Sequence, residues 1–353
     1  MKVAITADVH LANKKDYPER FNALTYILDS IKEMKINSLI IAGDLFDASY
    51  NNYSEFDKIA LKYKDIFIHV IPGNHDATID NSVMTSKNVE IYSEPAIKSL
   101  NKSKIKFFFL PYRKDMVMGE PIAENKDKLR PNKWVLIGHG DWEQGMKVSN
   151  QLEPGVYMPL SQKDINMYKP AHVFLGHTHK SLDGESICYP GSPCGLDISE
   201  TGKRRFIIFD TNNISLESHA VKTDIIYFDE SFLILPLKDE ESYLRKKIRS
   251  RIKEWNITDD DKSKVMVRIK IRGYSTDIRK LIEIVNDEFK GHKFYEQEDV
   301  DLSGVFLSRN LDLEEISRQI IDSVEKVIWQ SSPHEPSRDD ILFYALKTVY
   351  GDA

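Results

Sequence analysis

Five short polar motifs between positions 8 and 179 hold the side chains best suited to metal-assisted chemistry. They are Asp8-Val9-His10, Gly43-Asp44-Leu45-Phe46-Asp47, Gly73-Asn74-His75-Asp76, Gly138-His139 and Gly176-His177-Thr178-His179. Half of the ten histidines in the chain lie in them. Imidazoles and carboxylates without thiolates suit borderline or hard divalent ions such as Mn²⁺, Fe²⁺ or Zn²⁺. Asp8, His10, Asp44, Asn74, His139, His177 and His179 are seven possible ligands, too many for one ion. Two ions sharing Asp44 as a bridge would use them all, at the roughly 3.5–4 Å separation of two-metal phosphoryl-transfer sites.

Each motif stands where an apolar run ends, which says what must position it. Lys2–Ala7, Ser38–Ala42, Ile66–Ile71, Trp134–Ile137 and His172–Leu175 read as strands. Arg20–Lys35 and Tyr53–Tyr63 read as helices between the first three, giving a βαβαβ opening. In open α/β sheets ligands gather beyond the carboxyl ends of the strands, so five such ends can converge on one site. If the last strand runs on through x-H-x-H, His177 and His179 point the same way. Further strands at Ile105–Leu110, Ile187–Tyr189, Arg205–Asp210 and Ile214–His219 follow with fewer helices between them. The predicted architecture is α/β, a two-sheet sandwich flanked by helices.

A different texture begins near Lys222. A helix over Glu240–Trp255, an alternating strand over Val265–Arg272, a helix over Thr276–Phe289 and a weak strand near His292–Glu296 predict a small α/β module. Two amphipathic tail helices, Leu313–Trp329 and Arg338–Tyr350, follow it, and Ser337 with Asp340 predicts a capping box. The expected division is 1–222, 223–305 and 306–353.

D-x-H, then GDxxD, then 25 residues, then GNHD, with a later GH and GHxH, resembles the calcineurin-like metallophosphoesterase superfamily over residues 1 to about 220. Within it, GDLFD, GNHD and GHTHK followed by Tyr189–Pro193 (YPGSP) most resemble the SbcD-type nuclease subunit of double-strand-break repair, bacteriophage recombination counterparts included. The resemblance implies a two-sheet sandwich with a dimetal centre, a DNA-contacting cap and a helical segment that grips an SMC-like ATPase. It also implies that Asp8, His10 and His179 hold one ion and Asn74, His139 and His177 the other, with Asp44 bridging. His75 resembles the family's non-ligand histidine that assists the transition state or leaving oxygen, and Asp76 would orient it. Some members carry a second functional histidine where this chain has Asp47, and the Pro-Ser segment that often follows GDxFD is replaced by Ala48–Tyr53. A homodimer through helices near Tyr53–Tyr63 and Thr85–Leu100 is implied by the resemblance alone.

The cap offers its own hints of a polyanion. Arg245, Lys246, Lys247, Arg249, Arg251 and Lys253 crowd one helix, and Arg268, Lys270 and Arg272 alternate with apolar residues on the following strand. Together they could track phosphates; a solvated amphipathic module fits the same pattern. Lys203-Arg204-Arg205 and Lys102, Lys104 and Lys106 read as ordinary surface charges. The tail helices either pack on their own domain or, by the resemblance, hold the ATPase.

Bulk composition excludes more than it identifies. With 353 residues, 41% hydrophobic, 29% charged and a net charge of −6, the chain reads as a folded protein rather than a disordered one. Its two cysteines, Cys188 and Cys194, indicate neither a disulfide framework nor a thiolate zinc site. The expectation is a cytoplasmic protein with no membrane partner and no signal peptide. The leading expectation is a DNA exonuclease or endonuclease subunit using two divalent ions, Mn²⁺ first, with Mg²⁺ or Fe²⁺ as alternatives. GDLFDAS and GNHD argue against the GDxxDRG and GNHE pattern of protein phosphatases in the superfamily. The competing expectation is a phosphoesterase for small nucleotides or phosphoproteins with the same centre; a non-catalytic scaffold would be expected to lose ligands.

Overall fold

The computed structural model describes residues 1–48, 53–100, 103–143, 155–307, 314–327 and 336–350. They form two compact units. One comprises Met1–Leu196 with Lys203–Asp224; the other begins at Ile225 and takes in Asp197–Gly202 from inside the first stretch.

In chain order the first unit opens with β1 (Lys2–Thr6), α1 (Pro18–Glu33), β2 (Ser38–Ala42), α2 (Ser54–Lys62) and β3 (Phe67–Ile71). Then come β4 (Val89–Ile91), β5 (Ala96–Lys98), β6 (Lys106–Phe109), α3 (Gly119–Glu124) and β7 (Trp134–His139). It closes with α4 (Gln162–Tyr168), β8 (His172–Gly176), β9 (Leu182–Asp183), β10 (Ile187–Tyr189), β11 (Arg205–Asp210) and β12 (Ser215–Ala220). One sheet runs β12-β11-β1-β2-β3-β4 and the other β5-β6-β7-β8-β10-β9. Alternation along each strand builds three apolar layers. Val3, Ile5 and Ile40 meet Phe107, Ile137 and Phe174 between the sheets. Ala4, Leu39 and Ile41 turn outward under Phe21, Leu24, Ile27 and Leu28 of α1. Leu136, Val173 and Leu175 lie under Ile122 and Ile165 of α3 and α4. Strands buried on both faces are apolar throughout, so only their ends are left for polar chemistry.

The second unit runs β13 (Ile226–Ile234), α5 (Glu240–Glu254), β14 (Val265–Ser275), α6 (Ile278–Glu288), β15 (Lys293–Phe294), β16 (Asp301–Leu307), α7 (Glu314–Glu325) and α8 (Arg338–Tyr350). All pairings to β14 are parallel. One face of this sheet packs Val265, Val267, Ile269 and Ile271 against α5 and α6. On the other face Leu233, Leu235 and Tyr274 receive Ile321 of α7 with Leu342 and Leu346 of α8. The tail therefore packs on the module before it, and β16 crosses the expected 305/306 break. Ile316, Val327 and Tyr344 of the tail helices remain exposed. The capping box is formed: the Asp340 carboxylate accepts the Ser337 N–H and O–H, while the Ser337 hydroxyl accepts the Asp340 N–H. The segment Asp197–Gly202 joins this unit through the Gly202 N–H, which donates to the Tyr227 carbonyl at 2.9 Å.

One further expectation changes, and others fall outside the described residues. Thr85–Leu100 contains the short strands β4 and β5 rather than a helix. The Ala48–Tyr53 substitution lies mostly outside the described residues, as do Leu313, Trp329, Lys102 and most of the linker between the tail helices. Among the described residues no helix is long and apolar enough to cross a membrane.

Candidate metal centre

Gly43, Gly73, Gly138 and Gly176 stand at or beside the ends of β2, β3, β7 and β8, and the residues after them turn into one pocket. Local geometry shows how tightly. At Gly43 (φ +92°) any side chain would strike the His139 ring, and at Gly73 it would strike the Asp44 carboxylate. Asp8, His10, Asp44 and His177 have φ of 52°, 47°, 48° and 89°. Left-handed backbone costs on the order of 1 kcal/mol per residue, and Asp and His are among the side chains that tolerate it best. Backbone hydrogen bonds fix these turns: the Asp8 N–H donates to the Gly43 carbonyl at 3.1 Å and the His10 N–H to the Asp44 carbonyl at 2.9 Å.

All seven predicted ligands meet. His10 Nε2 and His179 Nε2 lie 3.1 Å apart, and Asp8 completes a group within coordination reach. Asn74 Oδ1 lies 2.8 Å from His139 Nε2 and 3.2 Å from His177 Nδ1. Between the two groups Asp44 Oδ2 stands 3.6 Å from His10 Nε2 and 3.3 Å from His139 Nε2. Thus one carboxylate oxygen faces both clusters. His177 and His179 lie in different clusters, but no strand aligns them. β8 stops at Gly176, and the left-handed turn at His177 sends the two side chains apart.

The pocket fits cations. Asp8 Oδ2 is buried and accepts no hydrogen bond among the described residues, an arrangement that costs kilocalories unless a charge compensates it. Burial pushes the Asp8 carboxyl up to about 6. Burial would raise Asp44 too, yet the neighbouring His139 outweighs it and holds that carboxyl far below the usual range. Burial lowers the His10 imidazole to about 3, leaving it neutral as a ligand must be. Burial also works to lower His139, but Asp44 and Asp8 outweigh it and raise the imidazole to about 9.

A pH dependence follows with a definite sign. In the metal-free protein His139 carries a proton at neutral pH, and a cation bound at Nε2 must displace it. Manganese affinity is therefore expected to rise as pH climbs towards 9, with about one proton released per chain near pH 7. Titration calorimetry in buffers of different ionisation enthalpy measures that number, and binding without proton release would contradict the assignment.

His75 places its ring 4.6 Å from that of His10 at 84°, while its backbone N–H donates to Asp44 Oδ1 at 2.9 Å. Its ring also forms a possible metal-holding group with His10 and Asp44. Asp76 has a structural part as well: its carboxylate accepts the backbone N–H groups of Gly73 at 2.7 Å and Phe46 at 3.1 Å, which ties the GDLFD and GNHD loops together. Burial, with Asp44 nearby, raises its carboxyl to about 7.

Three supporting residues escaped the sequence reading. Arg20 is buried and donates to the His10 carbonyl at 2.7 Å and to Asp47 at 3.3 Å. Asp141 accepts the Tyr157 N–H at 2.7 Å and lies 3.8 Å from His177 Nε2. An Asp two places after His139 was the available signal. Arg204, expected on the surface, is buried against the His179 carbonyl. Its neighbour Arg205 is ion-paired with Asp183 at 2.6 Å. Beside the pocket, a cleft of about 390 Å³ is lined by Tyr112, Lys114, Val117, Val156, Tyr157 and Met158.

The family model for calcineurin-like phosphoesterases matches residues 1–181. The chain belongs to this family. As a calcineurin-like phosphoesterase it is a metal-dependent phosphoester hydrolase of mixed α/β fold. Its likeness to the SbcD type is borne out by the SbcD component of the nuclease SbcCD of Staphylococcus epidermidis, 25% identical over 253 residues, covering 61% of this chain and 67% of the relative. Similar solved structures include TT1561 of Thermus thermophilus, at 15% identity, a TM-score of 0.42 and coverage of 63% of this chain and 99% of that one. An archaeal phosphodiesterase matches at 13% identity and a TM-score of 0.33, covering 63% and 100%.

The cap cations are largely engaged within their own unit. Arg245 pairs with Glu241, Asp287 and Glu288, and Arg249 with Glu288. Arg268 pairs with Glu298, Lys270 with Asp229 at 3.5 Å and Arg272 with Asp340 at 2.6 Å. The expected open basic stripe is thus mostly charge-compensated, because acids distant in sequence fold onto it. Lys247 lies over the Tyr243 ring, and neighbouring Lys246 is solvent-exposed.

Proposed function

We propose that this chain is a manganese-dependent DNA nuclease subunit that processes DNA ends or breaks together with an SMC-like ATPase. The observation that carries the reading is the pair of ligand clusters sharing Asp44 Oδ2, in a chain related to a protein described as part of the SbcCD nuclease. Asp8, His10 and His179 would hold one ion, Asn74, His139 and His177 the other, and Asp44 would bridge. An all-nitrogen-and-oxygen ligand set is compatible with Mn²⁺, and with Mg²⁺ or Fe²⁺ as substitutes. Divalent ions bound there would supply Lewis acidity towards a phosphodiester and a water of lowered pKa. The protein's own part is to orient and to compensate charge. Asp8 and Asp44 are held on tight turns at strand ends, and the His75 ring would offer an imidazole N–H to the leaving oxygen. Lys246 and Lys247 are the cap cations best placed to meet phosphates, while Ile316, Val327 and Tyr344 on the tail are the apolar groups available to the ATPase. A homodimer and a cytoplasmic, nucleoid-associated location belong to the same reading.

The alternative, a phosphoesterase for small nucleotides or phosphoproteins, draws support from the internal pairing of six cap cations, Arg251 with Glu230 included. End-labelled DNA with Mn²⁺ or Mg²⁺, with and without the ATPase, separates the two. Manganese-dependent shortening of the DNA is expected, alongside hydrolysis of bis-p-nitrophenyl phosphate. Hydrolysis of that diester and of mononucleotides, with DNA left intact under all conditions, would favour the alternative.

A further inference from the structure

His179 lies beyond regular structure, three residues past the end of β8. Its carbonyl is nevertheless gripped from two sides. The Ser192 N–H donates to it at 3.0 Å and the Arg204 guanidinium at 2.5 Å. Arg204 Nε also donates to the Ser192 carbonyl at 3.0 Å, and its Nη2 reaches the Ser192 hydroxyl. Gly191 (φ +78°) makes this close approach possible, because a side chain there would press on the His179 carbonyl. Arg204 is only 5% exposed, an unusual setting for a guanidinium. Its own carbonyl accepts the Val221 N–H at 2.8 Å, which pins its backbone. The next residue starts β11, and β11 pairs with β1, the strand that leads into Asp8 and His10.

We propose that Arg204 is a positioning residue: with Ser192 it clamps the His179 carbonyl and so preforms one metal position selectively, the one built from Asp8, His10 and His179. The clamp links the strand beneath two of those ligands to the loop that carries the third. Asn74, His139 and His177 come from or just beyond the ends of β3, β7 and β8, whereas the carbonyl that Arg204 grips belongs to His179 itself. Outer-shell partners of this kind typically change metal affinity about 10- to 100-fold.

The inference rests on the two-ion reading above, and manganese titration of the full chain tests both. Wild-type protein is expected to bind two ions; a single ion would refute that reading itself. Arg204→Met keeps length and apolar bulk but removes the donors. It is expected to weaken one site by about 10- to 100-fold and leave the other unchanged. The paramagnetic spectrum at one equivalent should then report isolated rather than coupled manganese. Arg204→Lys, which retains one donor for the His179 carbonyl, should restore part of the loss. Ser192→Ala leaves the backbone intact, folds if Arg204→Met does not, and should weaken the same site to a smaller extent. Two wild-type sites in Ser192→Ala and Arg204→Lys, or equal weakening of both sites, would overturn the clamp.

Discussion

His75→Ala is expected to keep both ions bound and to lose about 10²- to 10⁴-fold in turnover. The backbone N–H that holds Asp44 Oδ1 survives the substitution, so the shared carboxylate stays in place. What disappears is the ring set edge-on to His10, the group that in the proposed function would stabilise or protonate a leaving oxygen. The deficit should be larger for DNA, whose leaving group is an alkoxide, than for bis-p-nitrophenyl phosphate, whose leaving phenolate needs little protonation. Metal content and kcat on both substrates check it. Loss of an ion would make His75 a ligand with His10 and Asp44, which the geometry also permits.

Asp44→Ala should abolish binding of both ions and reduce hydrolysis to background, yet leave the fold intact. Asp44 Oδ2 is the atom that faces both clusters, so its removal opens each of them. Folding is spared because Asp44 is also a source of repulsion: its charge raises the carboxyls of Asp8 and Asp76 inside the same buried pocket. Without it the chief influence raising His139 is gone, and burial returns that imidazole to the neutral form. Metal analysis and the melting temperature of the metal-free variant test both halves. A retained pair of ions would contradict the bridging role.

The ligands were legible in the sequence because each closes a run of apolar residues, and a strand buried on both faces has nowhere else to put polar side chains. The ordering of α and β elements was legible for the same reason. Other features depend on long-range folding. Nothing near Arg204 announces that it will reach across to the His179 carbonyl, and Arg20 reads as one more charge at the start of a helix. Nothing beside Asp76 announces that its carboxylate will accept the amide of Phe46, 30 residues earlier. Lys270 and Arg272 look like an open basic face until Asp229 and Asp340 arrive from other elements. β13 was missed because Asp229, Glu230 and Ser231 interrupt its apolar pattern, although Glu230 accepts from Trp255 and Arg251 once folded.

The loan of Asp197–Gly202 to the second unit limits how this architecture can be rearranged. A fragment ending at Asp224 keeps those six residues but loses the Tyr227 carbonyl that receives Gly202, and a fragment starting at Ile225 has the reverse defect. No single crossover point yields two self-sufficient halves. Chimaeras that exchange one half between relatives would have to transplant the short strip as a second cassette.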